Sequence, residues 1–263
     1  AGTPREAEVL TASNTLADAD GLGPISYQWK RDNVAINGAT NSTYTLVQAD
    51  VGAAITVTAS YTDQGGTNES VTSPATAKVL NVNDIPTLDE LTDVSINEDD
   101  PQQTQSLSGI TAGDGEVQVL LVTAASDNPG LIPDPTVTYT SPDTTGSIAF
   151  TPVADQSGTA ILTITVTDGG LDNDLATTED NGATTRTIVV NVAPVNDLPT
   201  IEVNGAFSIR ENAPLRTLDL TAVSAGGGES QPLRVTAVND NTNLIPDLAV
   251  NYSTPDTTGS LTF

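Results

Sequence analysis

A stretch of 67 residues occurs twice in this chain of 263. Residues 84–150 align without a gap on residues 197–263, at an offset of 113, and 33 of the 67 positions carry the same residue. Asn83-Asp84-Ile85-Pro86-Thr87 recurs as Asn196-Asp197-Leu198-Pro199-Thr200, and Leu131-Ile132-Pro133-Asp134 recurs as Leu244-Ile245-Pro246-Asp247. Pro142-Asp143-Thr144-Thr145-Gly146-Ser147 returns as Pro255-Asp256-Thr257-Thr258-Gly259-Ser260, and the match runs to Phe150 and Phe263. Two segments this similar share a fold, so the chain is a tandem array and not one large domain. Residues 1–82 form a related unit. Asp50 and Asp155 each follow an alanine and lie thirteen residues before a second aspartate, Asp63 and Asp168, so each pair brackets an equivalent strand. The expected modules are 1–82, 83–195 and 196–263, the last incomplete.

The apolar residues lie in short alternating runs. Ile55-Thr56-Val57-Thr58-Ala59-Ser60-Tyr61 and Ile161-Leu162-Thr163-Ile164-Thr165-Val166-Thr167 are the clearest, and Thr187-Ile188-Val189-Val190-Asn191-Val192 is less strict. These runs are rich in β-branched residues and bounded by Gly, Pro, Asn and Asp, which is the strand signature; no helical stripe longer than a turn competes with it. Turn dipeptides such as Asn37-Gly38, Asp114-Gly115 and Asn181-Gly182 punctuate them. The fold class is therefore all-β, built from tandem β-sandwich modules. The single Trp of the chain, Trp29, is expected at the centre of the first sandwich.

Composition removes several kinds of function. The chain has no Cys and no His, which excludes a thiol nucleophile, an imidazole base, a Ser–His–Asp triad and an ordinary zinc site. Its formal net charge of −26 repels nucleic-acid phosphates and anionic lipid. No apolar run approaches the roughly 20 residues of a membrane-spanning helix, so no membrane insertion is expected in this segment. Without an initiator Met or a signal segment, it reads as part of a longer chain. Paired carboxylates could serve glycoside hydrolysis, but with 3 % aromatic residues there is little surface for stacking sugar, so no enzyme is expected.

Tyr27-Gln28-Trp29-Lys30-Arg31-Asp32, with Tyr44-Thr45-Leu46 and Ala49-Asp50-Val51-Gly52, resembles the immunoglobulin-like modules of large bacterial surface and RTX-type adhesins. Val195-Asn196-Asp197-Leu198-Pro199, with Ile209-Arg210-Glu211-Asn212 downstream, is similar to the tandem cadherin-like repeats of the same giant proteins. The resemblance covers nearly the whole chain. It implies an immunoglobulin-like sandwich followed by cadherin-like ones, on a bacterial cell surface.

The resemblance also implies calcium at the junctions, held by acids from the base of one module, the linker and the top of the next. The early glutamate of the family pattern matches Glu6, Glu98 and Glu211. The acid before the penultimate strand matches Asp50 and Asp155, and the acid ending that strand matches Asp63 and Asp168. The linker pairs are Asn83-Asp84 and Asn196-Asp197, and the upper-loop Asp-x-Asp is Asp18-Ala19-Asp20. Sorted by junction, the first set is Glu6, Asp50, Asn83, Asp84, Asp114 and Asp168. The second is Glu98, Asp155, Asn196 and Asp197, because Gly226-Gly227-Gly228 stands where an acid pair would be. Asp18, Asp20 and Asp63 are expected to face a preceding module. Ca²⁺ takes six to eight oxygen ligands, and clustered carboxylates repel one another until a cation neutralises them. Singly, Asp and Asn before Gly or Pro are ordinary turn formers, and the acidic stretch 169–181 reads as a solvated loop.

The function expected is a non-enzymatic extracellular stalk or adhesin segment whose partners are neighbouring modules of its own chain. The alternative is a subunit of an extracellular fibre or matrix, with other copies of the chain as partners. Module 83–195 carries two further strands, near 159–167 and 184–193, with inward candidates Ile161, Ile164, Val166, Ile188, Val190 and Val192. Module 196–263 has no counterpart of them and is expected to need completion.

Overall fold

A computed structural model describes residues 4–19, 21–203, 205 and 208–263. The chain is all-β, and its hydrogen-bonded sheets fall into three groups along the sequence. In the first, β1 (Val9–Thr11) pairs with β4 (Thr43–Thr45), while β2 (Ser26–Arg31), β3 (Val34–Ala35), β5 (Ile55–Thr62) and β6 (Asn68–Thr72) form a second sheet in the order β3-β2-β5-β6. Trp29, Leu46, Ile55 and Val79 are the buried core between them. Trp29 takes the central place expected of it: its Nε1 donates to the Asn41 carbonyl at 2.9 Å, and its ring stacks on Tyr44 with centroids 5.8 Å apart.

The second group is a complete sandwich. One sheet has the order β7-β13-β12-β9, made of β7 (Val94–Asn97), β9 (Leu120–Ser126), β12 (Gly158–Asp168) and β13 (Ala183–Ala193). The other has the order β10-β11-β8, made of β8 (Gln103–Leu107), β10 (Thr136–Thr138) and β11 (Gly146–Phe150). The long hairpin β12–β13 supplies the heart of the core: Ala160, Leu162, Ile164, Val166, Ile188 and Val190 are fully buried. The expected inward residue Ile161 is a correction. It faces out, 39 % exposed, and Leu162 takes the inward place. Period-two geometry requires this, because only residues of the same parity as Ile164 and Val166 share their face.

The third group is one sheet, β14-β15-β17-β16, built from β14 (Thr200–Val203), β15 (Thr217–Ser224), β16 (Ala249–Asn251) and β17 (Gly259–Thr262). Shifted by 113, β15, β17 and β16 are the counterparts of β8, β11 and β10, with the same neighbours. Segments 208–210 and 233–239, the counterparts of β7 and β9, are outside any strand. The buried apolar residues here are Leu220, Val223 and Ala225, against 18 in the core of the second group. No helix among the described residues is long and apolar enough to cross a membrane.

Candidate metal sites at the linkers

Chain segments from both sides of the first linker meet at Glu6. The Glu6 amide donates to the Leu80 carbonyl at 3.0 Å, so the start of the chain lies against the stretch that leads out of the first sandwich. The carboxylate is buried. It accepts the Val82 N–H, and the Gln48 carboxamide, with its nitrogen turned inward, reaches its two oxygens at 2.8 and 3.1 Å. Acceptor oxygens of Glu6, Asp84 and Asp114 all lie within 4.8 Å of one another. Asp84 Oδ2 is buried without a hydrogen-bond donor. Burial raises the Glu6 pKa, and Asp84, Glu116 and Asp114 add to the rise against the lowering by the Val82 N–H. Burial and then Asp114 raise the Asp84 pKa. The ion pairs among the described residues are Arg31–Asp50 and Arg186–Glu90, so neither lies in this cluster.

The second linker gathers a different set. Glu98, 3 % exposed, accepts the Val195 N–H at 2.8 Å. Asp99, Asp155 and Asp197 bring oxygens within 4.8 Å of one another, and the Asp155 amide donates to Asp99 Oδ1 at 3.2 Å. Asp197 Oδ2 is buried without a donor, and its pKa is raised by burial first and then by Asp155, Asp99, Glu229 and Glu98. A third cluster at the far end of the first sandwich joins Asp18, Asp63 and Glu69. There the Tyr61 hydroxyl donates to Glu69 at 2.6 Å and to Asp18 at 3.3 Å, which raises the phenol pKa.

The expected first-junction set therefore divides. Glu6, Asp84 and Asp114 converge. Asp50, fully buried, is held within the sandwich by Arg31 Nε at 2.7 Å, the Tyr44 hydroxyl at 2.8 Å and the Val47 N–H at 3.0 Å. Burial of the Tyr44 phenol, and then its hydrogen bond to Asp50, push the Tyr44 pKa up to about 12. Asp155, matched to Asp50 by spacing, instead sits at the surface with a left-handed backbone, φ 57°. Asp168 is also fully buried. It accepts the N–H groups of Gly170 and Gly182 at 2.9 and 2.8 Å, and Asn83 Nδ2 at 3.2 Å, so Asn83 and Asp168 strap the linker to the β12–β13 loop. Asp63 accepts the Thr67 N–H at 2.6 Å. Of the second-junction set, Asp155 and Asp197 converge, Glu98 holds Val195, and Asn196 accepts from Gln231 Nε2 at 2.7 Å. Asp20 lies outside the described residues.

Several residues of these sites escaped the sequence reading. Glu116 accepts the Asp84 N–H at 3.0 Å, and Glu229 accepts the Asp197 N–H at 3.2 Å. Gln118 donates to Asn83 at 2.7 Å, as Gln231 does to Asn196. Their signal was available, since Glu116/Glu229 and Gln118/Gln231 are identical pairs in the repeat. Asp99 is adjacent to Glu98 in sequence. Glu69 carries no local signal, because the register Tyr61↔Glu69 between β5 and β6 delivers it.

Fold and sites together define a class: tandem β-sandwich repeats with acidic residues gathered at their linkers. Compared by sequence, the chain matches no protein-family model and no curated protein. It is similar in structure to domains 4 and 5 of the S-layer protein SbsC, at 18 % identity over 64 % of this chain and 70 % of that one, with a TM-score of 0.31. Protocadherin gammaB7 EC3-6 matches at 18 % identity over 67 % of this chain and 42 % of that one, TM-score 0.36. The human desmocollin-1 ectodomain matches at 16 % identity over 99 % of this chain and 52 % of that one, TM-score 0.32.

Proposed function

We propose that this chain is a non-enzymatic stalk segment of an extracellular bacterial adhesin, with modules 1–82, 83–195 and 196–263 whose linkers are stiffened by calcium. One observation carries the reading. At each linker, carboxylates from the linker and a flanking module converge within 4.8 Å, and one buried aspartate oxygen there has no donor.

The donor set fits a hard divalent cation, since every candidate ligand atom is oxygen. Glu6, Asp84 and Asp114 would hold it at the first linker, and Asp99, Asp155 and Asp197 at the second. When bound, calcium supplies the positive charge that these clusters lack. The chain's own groups do the rest: Glu116 and Glu229 fix the linker amides, and the buried Glu6 and Glu98 fix the valines before them. Small-angle scattering tests the reading. In calcium the chain should be longer and its distance distribution narrower than in chelator, and Asp84→Asn should lower calcium affinity tenfold or more, about 1.4 kcal/mol. Identical profiles in both conditions would reject a calcium-stiffened stalk.

A fibre subunit is the second reading, favoured by the edge strand β6, every residue of which is exposed. Light scattering separates the two, because a stalk segment stays monomeric and a fibre subunit associates.

A further inference from the structure

The chain contains three Asp-Gly pairs, Asp20-Gly21, Asp114-Gly115 and Asp168-Gly169. In such a pair no side chain shields the glycine nitrogen from the carboxyl group before it. Asp20 lies outside the described residues. At Asp168 the attack is blocked, because the carboxylate is fully buried under N–H donors and the Gly169 N–H is committed to the Val119 carbonyl at 2.9 Å. Asp114-Gly115 is the opposite case. The Glu116 N–H donates to the Gly113 carbonyl at 2.9 Å, closing a turn with Asp114 and Gly115 at its centre. Gly115 has φ +87°, the positive value that the third residue of a type II turn requires. Both central residues are exposed, and the Gly115 N–H donates to no acceptor among the described residues. Nothing lies within 4 Å of where a Gly115 Cβ would sit. The ends of the turn are fixed to the linker. Gly113 packs on Asp84, where a Cβ would lie 2.6 Å from Asp84 Cβ, and Glu116 accepts the Asp84 N–H at 3.0 Å.

We propose that Asp114-Gly115 is a self-modification site, at which isoaspartate forms and dismantles the acid cluster of the first linker, and, resting on the calcium reading above, that a bound cation protects it. The Gly115 nitrogen bonds to Asp114 Cγ. Its proton and one carboxyl oxygen, with a further proton from solvent, leave as water, and a succinimide closes. Water then reopens the ring. Breaking the bond from nitrogen to Cγ restores aspartate, and breaking the bond from nitrogen to the main-chain carbonyl carbon gives isoaspartate. Neither mass nor electrons change overall. The turn is then one atom longer and its carboxylate one carbon shorter, so the group no longer meets Glu6 and Asp84. A cation held by Asp114 retains the oxygen that must leave and pins the turn. At the second linker Asp99, Asp155 and Asp197 are followed by Asp100, Gln156 and Leu198, whose side chains crowd the attacking nitrogen. The first linker ages while the second endures.

The test holds the purified chain for several weeks at neutral pH, in chelator or in calcium, and locates isoaspartate by mass spectrometry of a digest. In chelator it should accumulate at 114 faster than at the buried 168 by on the order of tenfold or more. Calcium at about ten times its dissociation constant should slow the reaction about tenfold, since only the unliganded linker reacts. Wild-type chain aged in chelator and returned to calcium should bind it more weakly than fresh chain. Asp114→Glu, whose longer side chain closes the ring far more slowly, should bind alike before and after ageing. Isoaspartate at 114 no more abundant than at 168 would overturn the proposal, as would undiminished calcium binding by the aged wild type. Equal rates with and without calcium, in a chain whose scattering responds to calcium, would overturn the protection. Scattering indifferent to calcium would reject the calcium-stiffened stalk instead, and isoaspartate at 114 would still uphold the site.

Discussion

The two linkers run through one frame and finish in different acid sets. In both, a buried glutamate, Glu6 or Glu98, accepts the N–H of the valine two residues before the linker aspartate. In both, Gln118 or Gln231 donates to the linker asparagine, and Glu116 or Glu229 accepts the aspartate N–H. The acids that complete each cluster beside the linker aspartate then differ. The first linker takes Asp114 from the downstream module; the second has Gly227 there and takes Asp99 and Asp155 from the upstream module. Ala7 occupies the position of Asp99 at the first linker, in the same left-handed conformation, φ 62° against 64°. The frame is set by side chains that face the backbone. The acids within it are exchangeable provided three of them converge.

Mutations can break this comparison. The largest effect should come from the glutamates. Glu98→Ala removes the charged acceptor of the Val195 N–H, so urea unfolding in chelator should lose about 1.5–3 kcal/mol. Glu6→Ala should lose less, because it also removes a charge that opposes Asp84 and Asp114. Equal losses would mean that repulsion at the first linker is negligible.

Gly227 and Asp114 come next. A Cβ on Gly227 would fall on Asp197 Oδ2, and the backbone there has φ +39°. Gly227→Ala should therefore cost about 1–2 kcal/mol locally, read as faster amide exchange in 197–203. Asp114→Ala should cost nothing in chelator and should weaken calcium binding. Gly113 and Gly226 serve as controls: a Cβ would lie 2.6 Å from Asp84 Cβ at one and 2.7 Å from Asp197 Cβ at the other, so their alanine variants should suffer alike.

Acidity is expected to act in the direction the clusters dictate. Glu6, Asp84 and Asp197 all have raised pKa values, so each binds its proton more tightly folded than unfolded. Without calcium, stability should rise as pH falls from neutrality through these raised values and level off below the ordinary carboxylate range. The melting temperature in chelator at about pH 7 and about pH 5 measures this, and calcium should flatten the slope. A slope of opposite sign would show that other carboxylates dominate. The smallest effect is general screening: NaCl should raise the melting temperature slightly as the Debye length shrinks from about 30 Å at 0.01 M to about 8 Å at 0.15 M. CaCl₂ at matched ionic strength should raise it further.

Much of the fold was legible in the sequence because it depends on period and repetition. The alternating run from Ile161 to Thr167 marks a strand, and the 113-residue offset shows which strands of the two repeated segments correspond. The sites were legible only where a ligand is local to a linker, as Asp84 and Asp197 are. Asp50 and Asp155 sit at the same spacing, yet one is buried against Arg31 and the other lies at the surface; spacing fixes the strand and not the neighbours across the sandwich. Asp168 was misleading for a similar reason, since backbone N–H groups from a loop folded over it surround its carboxylate. Asp99 and Glu69 reach their clusters through a turn conformation and a strand register, neither of which a list of acids encodes.

The parallel pair β7–β13 also decides how a pull on the chain would be borne. Val94 to Asn97 run alongside Val190 to Ala193 in the same direction, so the first and last strands of the sandwich leave toward opposite ends. The bridge Arg5↔Leu80 repeats that sense in the first sandwich. A pull along the chain therefore slides these strands past one another and strains all the bonds of the ladder together, where an antiparallel terminal pair would peel apart one bond at a time. Tension is shared across the ladder before it reaches the core.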